Sequence, residues 1–201
     1  MKKMILLSCM VLASVCCMAQ NAKEALKVLD KTAAIVGRNG GAYAGFSISG
    51  SKLGATSGTI AIKGNKFYAH TPQATVWFNG KTQWAYMKAT NEVNVTTPNE
   101  AKQALMNPYK FITLYKSGYN LTSKKQGNAY QIHMVAQDKK RSIQELYITI
   151  GKNYIPSQVK MRQGTNWTTI NITNFKAKNQ SDAVFTFNAK EFPKAEVIDL
   201  R

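Results

Sequence analysis

The stretch Gln73–Val95, QATVWFNGKTQWAYMKATNEVNV, holds two of the three tryptophans and the clearest turn signal in the chain, Asn79-Gly80. Asn-Gly between two β-rich runs is the strongest short-range sign of a hairpin, because a type I′ turn needs φ > 0 at both central residues. A two-residue turn predicts the pairs Phe78–Lys81, Trp77–Thr82, Val76–Gln83 and Thr75–Trp84. Alternation then places Trp77, Trp84 and Tyr86 on one face, with Val76 and Phe78 on the other. A four-residue loop keeps those faces, whereas a three-residue loop flips one strand against the other. An aromatic hairpin face of this kind requires a covering partner.

Outward from the hairpin the same period of two continues. Upstream, Tyr43 to Ser49 and Thr59 to Lys63 alternate, and Gly64-Asn65 turns the chain into Lys66 to His70. Downstream, Glu92 to Thr96 reads as the next strand. After a break, strands are expected at Tyr119–Ser123, Ala129–Ala136, Ser142–Ile150, Ile155–Arg162, Trp167–Phe175 and Ala183–Asn188. Turn signals separate most of them, among them Gln126-Gly127-Asn128, Gly151-Lys152-Asn153 and Gln163-Gly164-Thr165-Asn166. About eleven or twelve short antiparallel strands at near-regular spacing favour a strongly curled sheet or barrel over a flat sheet.

Two segments break this pattern. Asn21 to Arg38 carries Ala22, Ala25, Leu26, Leu29, Ala33 and Val36 at helical spacing above a lysine-rich back, with Asn21 and Glu24 placed like a capping box. Pro98 to Gly118 carries Leu105, Met106, Phe111, Ile112, Leu114 and Tyr115, interrupted by Asn107-Pro108. This reads as two short helices with Pro108 in the first turn of the second. An ordinary helix packed on a sheet and a mobile lid both fit that periodicity.

Met1 to Ala19 has a basic start, an apolar run from Met4 to Met18 and a small residue before Gln20, the pattern of a cleaved secretory signal peptide. The segment lacks a lipobox, so residues 20–201 are expected to be a single exported, soluble domain. Cys9, Cys16 and Cys17 all lie in the leader, leaving that domain without disulfide or thiolate chemistry. The net charge of +17 is strongly basic. For an exported protein it argues for anionic lipid surfaces, acidic protein partners or plain solubility rather than nucleic acid.

The catalytic inventory is poor. His70 and His133 are the only histidines, lie far apart on expected strands, and have no carboxylate at ligand spacing. No paired carboxylates, nucleophile elbow, P-loop or dinucleotide fingerprint occurs. Neither an enzyme nor a metal or cofactor site is expected. What remains is apolar surface on both faces of some strands, such as Trp77-Phe78, with an apolar helical segment between half-sheets. That combination suggests a cavity covered by helices.

The order Leu146-Tyr147-Ile148-Thr149-Ile150, Ile155-Pro156-Ser157-Gln158-Val159, Gly164, then Thr169 to Phe175, with the ending Val184 to Phe187, Pro193 and Glu196 to Asp199, resembles the outer-membrane lipoprotein carrier (LolA-type) family. Asn79-Gly80-Lys81, Trp84-x-Tyr86, Val93 and Val95 fit the same pattern. The resemblance implies a mainly β fold with helices, an unclosed antiparallel barrel of about eleven strands under a helical lid. It implies a monomeric periplasmic carrier that takes acylated lipoproteins from an inner-membrane ABC exporter to an outer-membrane receptor. The expected acyl-binding residues are Phe46, Ile48, Phe67, Trp84, Tyr86, Leu105, Phe111 and Ile112, beneath helices at 22–36 and 99–117. Where the family often has an arginine tying lid to barrel, this chain has Lys63 in Ile62-Lys63-Gly64-Asn65. Lysine cannot supply the same bidentate fork, so lid control by Lys63 is expected to differ. Two other classes stay open: a lipid- or acyl-ligand-binding or sensor module that does not shuttle, and an esterase-like enzyme, which the missing triad disfavours.

Overall fold

The structure, a computed structural model, describes residues 21–51, 54–99, 103 and 108–201. Leu105 and most of the first of the two expected short helices lie outside the described residues. Among those described, twelve strands form one sheet: β1 (Ala42–Gly50), β2 (Gly54–Lys63), β3 (Lys66–His70), β4 (Ala74–Phe78), β5 (Gln83–Met87), β6 (Glu92–Thr96), β7 (Tyr119–Gln126), β8 (Ala129–Ala136), β9 (Glu145–Gly151), β10 (Pro156–Gln163), β11 (Asn166–Ala177) and β12 (Glu196–Asp199). The sheet runs β12-β6-β5-β4-β3-β2-β1-β11-β10-β9-β8-β7. It is a curled, unclosed sheet, with β12 and β7 as its unjoined edges.

Helix α1 (21–36) and the short helix α2 (Pro108–Thr113), followed by a 3-10 turn at Leu114–Lys116, cover the concave face. Pro108 opens α2, where its fixed φ suits a helix start and its missing N–H costs nothing. The buried stripe of α1 is Ala25, Val28, Leu29, Thr32 and Val36. It is rotated from the expected one: Val28 turns in, and Leu26 is left 40% exposed.

Three hairpins use two-residue turns of the Gly-X kind, at Gly64-Asn65, Gly127-Asn128 and Gly164-Thr165, as the pairs Lys63–Lys66, Gln126–Ala129 and Gln163–Asn166 show. In each the glycine alone takes positive φ, between 55° and 59°, as a type II′ turn requires at its first position. The Asn79-Gly80 turn differs from expectation. Phe78 pairs with Gln83 and Trp77 with Trp84, so the loop has four residues. Asn79 is not in the positive-φ region that a type I′ turn demands. Instead its Oδ1 accepts hydrogen bonds from the Lys81 and Thr82 amides at 3.0 and 2.8 Å. This Asx-type closure replaces one ladder bond, while the Asn79 amide still donates to the Thr82 carbonyl at 3.2 Å. Face parity survives, as a four-residue loop allows.

The C-terminal region departs further. Asp182–Phe185 and Ala189–Glu191 are 3-10 turns rather than a strand at Ala183–Asn188. Side-chain oxygens of Ser181 and Asn188 cap them by accepting from the Ala183 and Lys190 amides. The final strand β12 then runs parallel to β6, where every other pairing is antiparallel.

Candidate functional site

Most of the buried apolar residues among those described fall into two clusters on the concave face. One joins the first turns of α1 to β7–β10 through Val28, Leu29, Ile132, Met134, Leu146, Ile148 and Met161. The other joins Val36, at the end of α1, and Ile112 of α2 to Ala44, Ile60, Ile62, Phe67 and Phe78. Between them the sheet passes through β1 and β11, whose register sets Phe46 against Ile172 and Ile48 against Ile170. Those four side chains are only half-buried. The two clusters part there and leave a cavity of about 260 Å³.

Every side chain lining this cavity is apolar or absent: Val36 from α1, Phe111 and Ile112 from α2, Phe46, Ile48, Ile60, Ile62 and Ala69 from β1–β3, Val159, Ile170, Ile172 and Phe175 from β10 and β11, with Ala44, Gly45 and Pro156. A cleft of this kind usually adds a few polar groups that fix ligand orientation. Here the walls supply hydrophobic contact alone, which suits a hydrocarbon chain. Gly58, paired with Phe46, keeps the wall open: a Cβ there would meet the His70 carbonyl oxygen at 2.0 Å and Phe46 Cζ at 3.0 Å.

The structure brings Phe46, Ile48, Phe111 and Ile112 together at the cavity. Phe67 is buried beside them, against Phe78 at a ring distance of 5.6 Å, without reaching the cavity wall. Trp84 and Tyr86 are corrected. Trp84 pairs with Trp77, and that face turns away from the helices: Trp77 meets Phe187 and Phe192 at 5.4 and 5.5 Å, and Tyr86 meets Phe192 at 4.8 Å. The inward residues of β4 are Val76 and Phe78. Lys63 is corrected as well. Its ammonium donates to the Gln180 carbonyl at 3.2 Å and pairs with Asp182 at 3.0 Å, so it ties down the C-terminal segment rather than either described helix. Lys66 reaches the same carboxylate at 3.2 Å.

Among the lining residues outside the expected site are Ile60, Ile62, Ile170, Ile172 and Phe175. Parity signals the four isoleucines: once Phe46 and Ile48 face inward, alternation and the antiparallel register turn them inward too. Phe175 has the opposite parity and reaches the cavity because the β1–β11 register shifts between Gly45 and Tyr43, beside Asn174 at φ 51°.

A wider groove of about 850 Å³ lies on the opposite face, between β3–β5 and the C-terminal segment. Its walls include His70, Lys88, Asn188 and Glu191 beside the rings of Tyr68, Trp77, Tyr86 and Phe192. An acyl chain gains free energy only from apolar burial, so the smaller, wholly apolar cavity is the better candidate despite its volume.

No curated protein matches the chain in sequence. Among solved structures it is similar to an uncharacterized conserved protein from Thermus thermophilus, with TM-score 0.57 and 14% identity over 89% of this chain and 98% of that one. A LolA superfamily protein from Nitrosomonas europaea gives TM-score 0.46 and 10% identity over 81% and 97% of the two chains. A putative outer membrane lipoprotein-sorting protein domain from Vibrio parahaemolyticus gives 0.46 and 12% over 87% and 98%. Residues 15–165 match the family described as outer membrane lipoprotein carrier protein LolA, and the chain belongs to that family.

Proposed function

We propose that the protein is a periplasmic carrier that holds lipoprotein acyl chains in the apolar cavity and ferries them from the inner to the outer membrane. In this reading residues 1–19 are a cleaved leader and residues 20–201 one monomeric carrier domain. Cargo comes from an inner-membrane ABC exporter and passes to an outer-membrane receptor. Binding alone is the work asked of it, with no catalysis and no cofactor. The observation that carries the proposal is the cavity where the two buried clusters part, walled by half-buried Phe46, Ile48, Ile170 and Ile172 under α1 and α2.

The size of the cavity sets the mechanism. If a methylene occupies roughly the ~30 Å³ share of a water molecule, the 260 Å³ hold on the order of nine methylenes. At about 0.8 kcal/mol each, that is roughly 7 kcal/mol of transfer free energy. This is part of one chain, not a multi-acyl anchor. Full loading requires α1 and α2 to move off the sheet, and their return over shortened space favours release to a receptor.

The same small volume favours a second reading, a module that binds one acyl chain or lipid and does not shuttle. Incubation with spheroplasts separates the two. A carrier retains full-length acylated lipoprotein in the supernatant and passes it to outer-membrane vesicles. Retention of only single-chain lipids supports the binding module, and retention of neither removes both.

A further inference from the structure

We infer that the outward side of α1, with the adjoining ends of the β7–β8 and β9–β10 hairpins, is a docking surface for anionic phospholipid bilayers. While α1 turns Ala25, Val28, Leu29 and Val36 inward, it leaves Lys23, Leu26, Lys27 and Lys31 exposed. Spacings of three and four residues align them in one ridge. Two further lysines come from the sheet. Lys125 lies 3.5 Å from Glu24 of α1 and 6.0 Å from the Tyr130 ring. Lys152 is exposed in the turn that also holds Tyr154. Tyr130 and Tyr154 stack at 6.3 Å, and Lys31 Nζ sits 4.5 Å from the Tyr154 ring centre while donating to its hydroxyl at 3.1 Å.

Five lysines thus surround a tyrosine pair and an exposed leucine. Against them stand two carboxylates: Glu24, which accepts from Ser123 and pairs with Lys125, and Asp30, which accepts from the Tyr115 hydroxyl, so five lysines less two carboxylates leave the patch at +3. The patch contains no arginine, whose planar fork suits fixed carboxylate geometry on a protein. Ammonium groups on flexible stems instead meet phosphates in any arrangement, while tyrosine rings and a leucine sit well at headgroup depth. The chemistry therefore favours a lipid surface over an acidic protein. Because Val36 of this same helix lines the cavity, docking sets the cavity's cover against the bilayer.

The test is co-flotation of the full chain with phosphatidylcholine vesicles, with and without phosphatidylglycerol, at about 0.1 M salt, where the screening length is about 10 Å. Binding is expected only with phosphatidylglycerol. The K23Q/K27Q/K31Q variant should lower partitioning about a hundredfold, at about fivefold per lysine. K88Q/K178Q/K190Q removes the same charge from exposed positions outside the patch and should change partitioning by less than about threefold on the same scale. Circular dichroism checks that both variants are folded. Equal losses in the two triples, or no preference for phosphatidylglycerol, overturn the proposal. These vesicles carry no lipoprotein, so failed cargo capture and failed docking are separate outcomes.

Discussion

On strands β3–β5 the concave face meets the helices through Phe67, Val76 and Phe78, while the opposite face meets the chain's own last segment through Tyr68, Trp77 and Tyr86. Both faces are rich in rings, and both are covered. They differ in what the cover leaves: beside the C-terminal segment the gap is a groove walled partly by His70, Lys88, Asn188 and Glu191. Against the C-terminal segment, Trp77, Phe187 and Phe192 lie mutually at 5.4 to 5.5 Å, the spacing of well-packed aromatic pairs, and Phe185 is fully buried. Against the helices, packing is complete over β3–β4 and over β8–β9 but not between, at β1 and β11. An apolar face alone therefore does not mark a binding site. The mark is a gap in the cover whose walls are apolar throughout.

The largest way to break this contrast is to empty the core beneath the C-terminal segment. Phe185→Ala removes a fully buried ring and should cost about 3–5 kcal/mol of stability, read by urea unfolding. An acyl probe should bind the folded fraction unchanged. Next in size is Gly58→Ala, whose Cβ would press on the His70 carbonyl oxygen and on the Phe46 ring. Overpacking of this kind costs typically about 1–3 kcal/mol, again read by urea unfolding. A loss much smaller than that would mean β2 and β3 yield freely at this point.

Filling the apolar cavity should do the reverse of emptying that core. Ile48→Trp places a larger side chain in the cavity beside Ile170. Affinity for a fluorescent fatty acid should fall at least about tenfold, which is about 1.4 kcal/mol, with little change in stability because the volume is already there. Trp84→Ala, on the other face, should leave fatty-acid affinity within about twofold on the same scale. If the two variants exchange phenotypes, the cavity is not the acyl site.

Much of this contrast was legible in sequence, and its limits were physical. The positions of the strands from β1 to β11 and the shared face of Trp77, Trp84 and Tyr86 followed from alternation, which is insensitive to whether the loop has two residues or four. Which face is inward did not follow, because Phe78 and Trp77 are both buried, each under a different cover. The cover over Trp77 comes from residues 182–192, more than a hundred positions away, and no local pattern announces it. Val184-Phe185-Thr186-Phe187 alternates like a strand, yet Ser181 and Asn188 cap turns there instead. Lys63 sits where the sequence pattern suggested lid control, but β2 alternation points it with Ala61 and Tyr68 toward the tail.

That last contact gives the smallest and most specific expected effect. Asp182 is held below the usual carboxylate range by hydrogen bonds from Lys63 first and Lys66 second. A carboxylate depressed in the folded state adds stability above its unfolded value of about 3.9, and the contribution fades as pH falls through the folded value. Both partners are largely solvated, with Asp182 62% exposed, so global stability should barely register it. The local consequence is measurable. Below about pH 4 the clamp on the segment should loosen, exposing amides that it holds to the loop between α1 and β1, Lys178 to Gly41 and Gln180 to Gly40. Hydrogen exchange of the peptide spanning residues 178–187, corrected for intrinsic rates and referenced to β9, should accelerate on acidification. Asp182→Asn should exchange at the faster rate at every pH, and Lys63→Met should shift the acid transition upward. If acidification accelerates exchange in the wild type no more than it does in Asp182→Asn, the segment is held by Phe185 and Phe187 alone and the two lysines merely decorate it.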